Sequence, residues 1–204
     1  DLAIPLIASS IMSKKLAEGT GSLVLDVKVG SGAFMKTIER ARELANTLVQ
    51  IGQDAGVHTS ALLTDMSTPL GLKVGNSLEV EESVEVLAGA GPADVVDLTV
   101  ELARHMLELA GITDVDVGEN LRNGKAMDSW RQMISAQGGD PDAKLPEAKE
   151  HHVVTAPESG YLSQLDALQV GTASWRLGAG RARGVVPEGG TPAIPRRLAE
   201  RAGA

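Results

Sequence analysis

Hydrophobic and polar positions recur along this chain with two periods. Over residues 5–17 Ile7, Ser10, Ile11 and Lys14 share one helical face, with Pro5 suited to the first turn, and the glycines at 19 and 21 end the element. Residues 22–27 form a short β-branched run that predicts a buried strand, and 28–32 a polar, Gly-rich turn. Helical spacing returns over 37–55, where Ala41, Leu44, Ala45, Leu48 and Ile51 point inward and Glu39, Arg40 and Glu43 outward. A further strand is predicted at 58–64. Helix, strand, helix, strand is the order of an α/β domain with a partly parallel sheet, whose ligands tend to lie beyond the carboxyl ends of the strands.

Further along, helices are predicted at 77–88, 92–110 and 120–137. Residues 138–150 are polar, with paired glycines and prolines, and make the best linker. Short strands at 152–156 and 160–163, a helix at 167–177 and a turn at 178–181 follow. After Arg183 the periodicity is lost, and 196–201 is at most a frayed helix. The expected organisation is an α/β domain over residues 1–140 and part of a smaller α+β domain over 141–204.

Composition narrows the chemistry. Of 204 residues 43% are apolar but only 2% aromatic, so the core is aliphatic, which favours helices and an aliphatic sheet. A net charge of −8 opposes non-specific binding to nucleic acid. Cysteine is absent, which excludes disulfides, thiolate metal sites and a thiol nucleophile and is compatible with the cytoplasm. No apolar run is long enough to span a membrane.

Some residues bear chemistry. Lys14 is a cation able to meet developing negative charge on a ligand oxygen, or a surface lysine beside Lys15; Ser10 faces a ligand, or returns its hydroxyl to the helix backbone. The 28–32 turn resembles an anion cradle only weakly, and Asp26 and Asp65 are site carboxylates or capping groups. His58, His105, His151 and His152 form no metal-binding pattern. From the residues alone, the chain is an α/β protein with a candidate small-ligand site near its start.

Ile4-Pro5-Leu6-Ile7-Ala8-Ser9-Ser10-Ile11-Met12-Ser13-Lys14-Lys15-Leu16-Ala17 and then Leu25-Asp26-Val27-Lys28-Val29-Gly30-Ser31-Gly32-Ala33-Phe34-Met35 resemble the thymidine and pyrimidine-nucleoside phosphorylase family. Thr64-Asp65-Met66, Pro69-Leu70-Gly71, Val74-Gly75-Asn76 and Leu78-Glu79-Val80 continue the match, and Gly160-Tyr161 and Leu177-Gly178-Ala179-Gly180-Arg181 extend it. The resemblance implies phosphorolysis of a pyrimidine nucleoside, with inorganic phosphate as co-substrate, in a cytoplasmic homodimer. It assigns Ser10 and Lys14 to the pyrimidine ring, with Lys14 stabilising the departing base, and Ile7 and Phe34 to apolar walls. It also implies a structural monovalent cation, K+, at Leu70, Lys73 and Glu82, mostly through carbonyl oxygens.

In that family a helical domain, a phosphate-binding loop and a catalytic His precede the matched helix, so the chain is expected to be a partial sequence, inactive alone. Two alternatives come from other classes: a non-catalytic pyrimidine-binding or structural module, and an enzyme of the related phosphoribosyltransferase-like group.

Overall fold

The computed structural model describes residues 3–148 and 150–179. Their elements run α1 (Ile4–Ala17), β1 (Ser22–Val29), α2 (Ile38–Asp54), β2 (His58–Asp65), α3 (Asn76–Leu87), α4 (Ala93–Leu109), α5 (Glu119–Arg122), α6 (Lys125–Ala136) and α7 (Ala167–Arg176). Two compact units result. One comprises the described residues up to Ser67 with Leu98–Val115; the other comprises Thr68–Asp97 with the described residues from Asp116 on.

In the first unit β1 and β2 pair in parallel, in register from Ser22 opposite His58 to Val29 opposite Asp65. Parallel neighbours need a crossover, and α2 supplies it. Side chains alternate across a strand, so Leu23, Leu25, Val27 and Val29 of β1 and Ala61 and Leu63 of β2 meet one core. Ile4, Ala8 and Met12 of α1 and Ala41, Leu44, Ala45 and Leu48 of α2 complete that core. Asp26, Lys28 and Thr64 occupy the alternate positions of the same strands.

Local chemistry sets the helix ends. Thr37 caps α2, its hydroxyl accepting the Arg40 N–H at 3.4 Å. Glu39 lies in that first turn, where hydrogen bonds from backbone and Thr37 hold its carboxyl below the usual range. Lys14 and Lys15 sit in the last turn of α1, where cations suit the helix dipole.

In the second unit the helix expected over 120–137 is two helices, α5 and α6. Gly124 between them has φ +83°, which ends one helix and starts the next. The strands expected at 152–156 and 160–163 are not formed. Val153 and Val154 are exposed and Tyr161 is 97% exposed, and among the described residues no neighbouring strand offers the hydrogen-bond ladder that β-propensity alone cannot replace. The turn predicted at 178–181 falls partly, and the helix at 196–201 wholly, outside the described residues. No helix among the described residues is long and apolar enough to cross a membrane.

Candidate functional site

Helix α1 presents the predicted stripe in a way that sorts its members. Ile4, Ala8 and Met12 are its buried residues, and Ile7 and Ile11 are partly buried against the same core. Ser10 and Lys14 are exposed beside them. The expected mixed face is therefore the margin of the buried stripe, apolar on its inner side and polar on its outer side.

Hydrogen bonding separates Ser10 and Lys14 from their neighbours. Ser13, not Ser10, turns its hydroxyl back onto the helix, donating to the Ser10 carbonyl at 3.4 Å. Lys15, not Lys14, forms the ion pair of this segment, with Glu18 at 2.9 Å. Among the described residues no carboxylate lies within ion-pair distance of Lys14. A hydroxyl and a cation one turn apart are thus available to a ligand.

Phe34 follows β1 on a loop and is 78% exposed, between buried Ala33 and Met35. The loop is fixed by its backbone: Gly30 N–H donates to the Met35 carbonyl at 3.0 Å, and Ala33 N–H to that of Gly30 at 3.1 Å. It is also tied to the loop after β2. Gly32 N–H donates to the Met66 carbonyl at 2.9 Å, Met66 N–H to that of Val29 at 2.7 Å, and the Ser31 hydroxyl to that of Ser67 at 3.2 Å. Gly30, at φ +134°, permits this approach, since a Cβ there would lie 2.6 Å from the Ser67 backbone nitrogen. A rigid loop therefore holds an aromatic ring in solvent. Burying such a ring is worth about 1.5–3 kcal/mol, which a ligand can recover.

The strand ends carry a network that spacing alone did not reveal. Asp26 Oδ2 meets the Lys28 ammonium at 2.7 Å, and Asp26 Oδ1 accepts the Thr64 hydroxyl from the neighbouring strand. Thr64 becomes the partner of Asp26 only through the strand register, which sets it opposite Lys28. Asp65 closes a turn by accepting both the Ser67 N–H at 3.1 Å and its hydroxyl at 2.7 Å.

The other three expected residues belong to the second unit. Three carboxylates hold the turn before α3 by its amides, each at 2.9 Å: Asp94 accepts from Gly71, Glu82 Oε1 from Leu72, and Glu79 from Gly75. Gly71 suits this turn because its φ of +71° is one that residues with a Cβ rarely adopt, and a Cβ on it would also lie 2.8 Å from Val95 Cγ2. Burial pushes the Glu82 carboxyl above its usual range, while the Leu72 amide and the Lys73 charge pull it back. Lys73 is itself buried, its ammonium 2.9 Å from Glu81 and 2.9 Å from Glu85, and these partners raise its pKa although burial alone would lower it. A carboxylate is a hard-oxygen ligand of the kind cations take, and Glu82 meets this turn through the Leu72 amide. The Lys73 ammonium is bound by Glu81 and Glu85. Leu70 bears an exposed side chain, so only its carbonyl suits such a site.

The family model described as "Glycosyl transferase family, a/b domain" matches residues 2–127. A thymidine phosphorylase of Mycobacterium tuberculosis is 60% identical over 181 residues, covering 89% of this chain and 42% of that protein. Pyrimidine-nucleoside phosphorylases of Bacillus subtilis and Geobacillus stearothermophilus are 46% and 44% identical, each over 88% of this chain and 44% of the relative. The chain thus spans less than half the length of these curated relatives.

Proposed function

We propose that this chain, which belongs to the glycosyl transferase family, a/b domain, is the base-binding part of a pentosyltransferase that carries out reversible phosphorolysis of pyrimidine nucleosides. In the forward direction a phosphate oxygen bonds to the anomeric carbon as the carbon–nitrogen bond to the base breaks. The bonding pair leaves with the base, which takes up a proton, and a pentose 1-phosphate remains. Negative charge developing on the ring is delocalised onto its carbonyl oxygens. Lys14 meets that charge there, a contribution that grows towards the transition state. Ser10 hydrogen-bonds the ring edge, and Ile7 and Phe34 supply apolar walls. Main-chain carbonyls of Leu70 and Lys73 and the carboxylate of Glu82 hold a monovalent cation that pins the turn before α3. The whole protein acts as a cytoplasmic homodimer.

The observation that carries this reading is the contrast along α1: Ser13 and Lys15 are engaged locally, whereas among the described residues the Ser10 hydroxyl and Lys14 ammonium have no such partner. Titration of the 204-residue chain with thymine and uracil tests it. Saturable binding that is lost in Lys14→Ala is the expected result; thymine binding that survives the substitution, or no binding at all, removes the assignment. The same chain is expected to release no thymine from thymidine with phosphate, because holding both reactants supplies most of the acceleration. This chain spans 42% of the thymidine phosphorylase of Mycobacterium tuberculosis.

A further inference from the structure

We infer that Lys28 is a second ligand-contacting cation of this chain, aimed by Asp26 and Thr64 at a phosphate oxygen of the sugar phosphate. The inference rests on the pentosyl-transfer reading and adds a contact that Ser10 and Lys14 do not supply.

Position comes first. Lys28 is the penultimate residue of β1 and pairs in register with Thr64, the penultimate residue of β2. Both therefore lie at the carboxyl ends of parallel strands, where open α/β sheets receive ligands. They stand on the face opposite the aliphatic core, so packing does not account for a charged pair there. The Lys28 and Asp26 side chains keep 32% and 23% of their exposure, enough for a solute to reach the ammonium.

The hydrogen bonds then define what this network offers. Both Asp26 oxygens are engaged, one by the Lys28 ammonium at 2.7 Å and one by the Thr64 hydroxyl. Asp26 is thus a positioning residue with little capacity left to accept. An ammonium has three donors, and Asp26 is the only carboxylate within ion-pair distance of Lys28 among the described residues. What remains is a held cation with donors to spare, which suits a group rich in acceptors, such as a phosphate, over a hydroxyl that must also donate. The pinned loops from Gly30 and Met66 begin where the strands end, so the mouth is rigid before a ligand arrives.

The experiment follows lysine side-chain NMR signals of the 13C-lysine-labelled 204-residue chain, titrated separately with 2-deoxyribose 1-phosphate, inorganic phosphate and thymine. Lys28 is assigned by its loss in Lys28→Met, and far-UV circular dichroism verifies that each variant folds. The sugar phosphate is expected to shift the Lys28 signal saturably. Lys28→Met should weaken its binding about tenfold to a hundredfold, the range for a hydrogen bond to a charged group. Lys28→Arg should retain most of it, Asp26→Asn should weaken it less than Lys28→Met, and thymine affinity should be unchanged throughout. Failure of the sugar phosphate to bind, or binding indifferent to Lys28→Met, overturns the Lys28 assignment whatever thymine does. A response to inorganic phosphate equal to that of the ester overturns the sugar-phosphate part. Absence of thymine binding with Lys28-dependent ester binding removes the base-site reading and leaves Lys28 standing.

Discussion

Gly52 of α2 packs so closely on Thr59 of β2 that a Cβ on the glycine would stand 2.0 Å from Thr59 Oγ1 and 2.7 Å from its Cβ. Thr59 cannot easily yield. Its β-branched side chain is stiff, it is buried, and its hydroxyl donates to the Val57 carbonyl at 3.0 Å. Gly52→Ala is therefore expected to destabilise the chain by about 1–3 kcal/mol through overpacking, although alanine favours helix by about 1 kcal/mol. Thr59→Ala removes only the nearer of the two atoms and should restore part of the loss. Urea unfolding of the two single variants and the double variant gives the coupling; additive effects would mean that the helix and strand separate freely.

Glu82 makes stability depend on pH in an unusual direction for a carboxylate. Burial raises its folded pKa above the unfolded value, so the folded state binds this proton more readily than the unfolded state. Below the unfolded pKa the group costs nothing; as pH rises through the folded pKa, its ionisation in a buried place erodes stability. Glu82→Gln keeps an acceptor for the Leu72 amide and removes the ionisation. In a choline buffer without alkali cations the variant should gain on the parent as pH rises from 4 to 8. A constant difference in urea midpoint across that range would contradict the assignment.

Lys73 and its partners should respond asymmetrically. The ammonium is buried, whereas Glu81 is 55% exposed and Glu85 34% exposed in their side chains. Lys73→Met leaves two carboxylates that water can reach and places an apolar chain in a buried slot, so a change within about 1 kcal/mol is expected. Replacing both Glu81 and Glu85 by glutamine strands the buried charge and should cost about 3 kcal/mol or more. Equal losses would mean that the pair acts as a surface bridge.

Much of the first unit was legible in the sequence because local signals and packing agree there. The α2 stripe from Ala41 to Leu48 is both periodic and buried, and Thr37 caps the helix at the point where its spacing begins. Sequence was weaker where partners decide. Val153-Val154 has strand composition but, among the described residues, no strand to pair with, and the span expected as one helix breaks at Gly124. For the site, spacing put Ile7, Ser10 and Lys14 on one stripe but could not tell an engaged hydroxyl from an available one. Phe34 stands in solvent because its loop is bonded to the loop after β2, a long-range relation that spacing along the chain does not carry. Asp26 was a bare strand-end carboxylate until the register placed Thr64 beside it.

The Glu82 carboxylate and the turn from Leu70 to Lys73 lead to a cation-specific effect on stability. If the carbonyls of Leu70 and Lys73 and the Glu82 carboxylate hold a monovalent ion in the folded state only, that ion stabilises the fold by mass action. A tenfold excess over its dissociation constant adds about 1.4 kcal/mol, a rise of a few degrees in Tm for a chain of this size. The matched experiment compares potassium chloride with choline chloride at one ionic strength, so that screening of the surface pairs is the same in both. Potassium should raise the Tm of the parent, and Glu82→Gln should abolish most of that rise by replacing a charged ligand with a neutral one. Equal Tm values in the two salts would exclude a bound ion in this chain and leave the Gly71, Leu72 and Gly75 amides, held by Asp94, Glu82 and Glu79, as what fixes the turn.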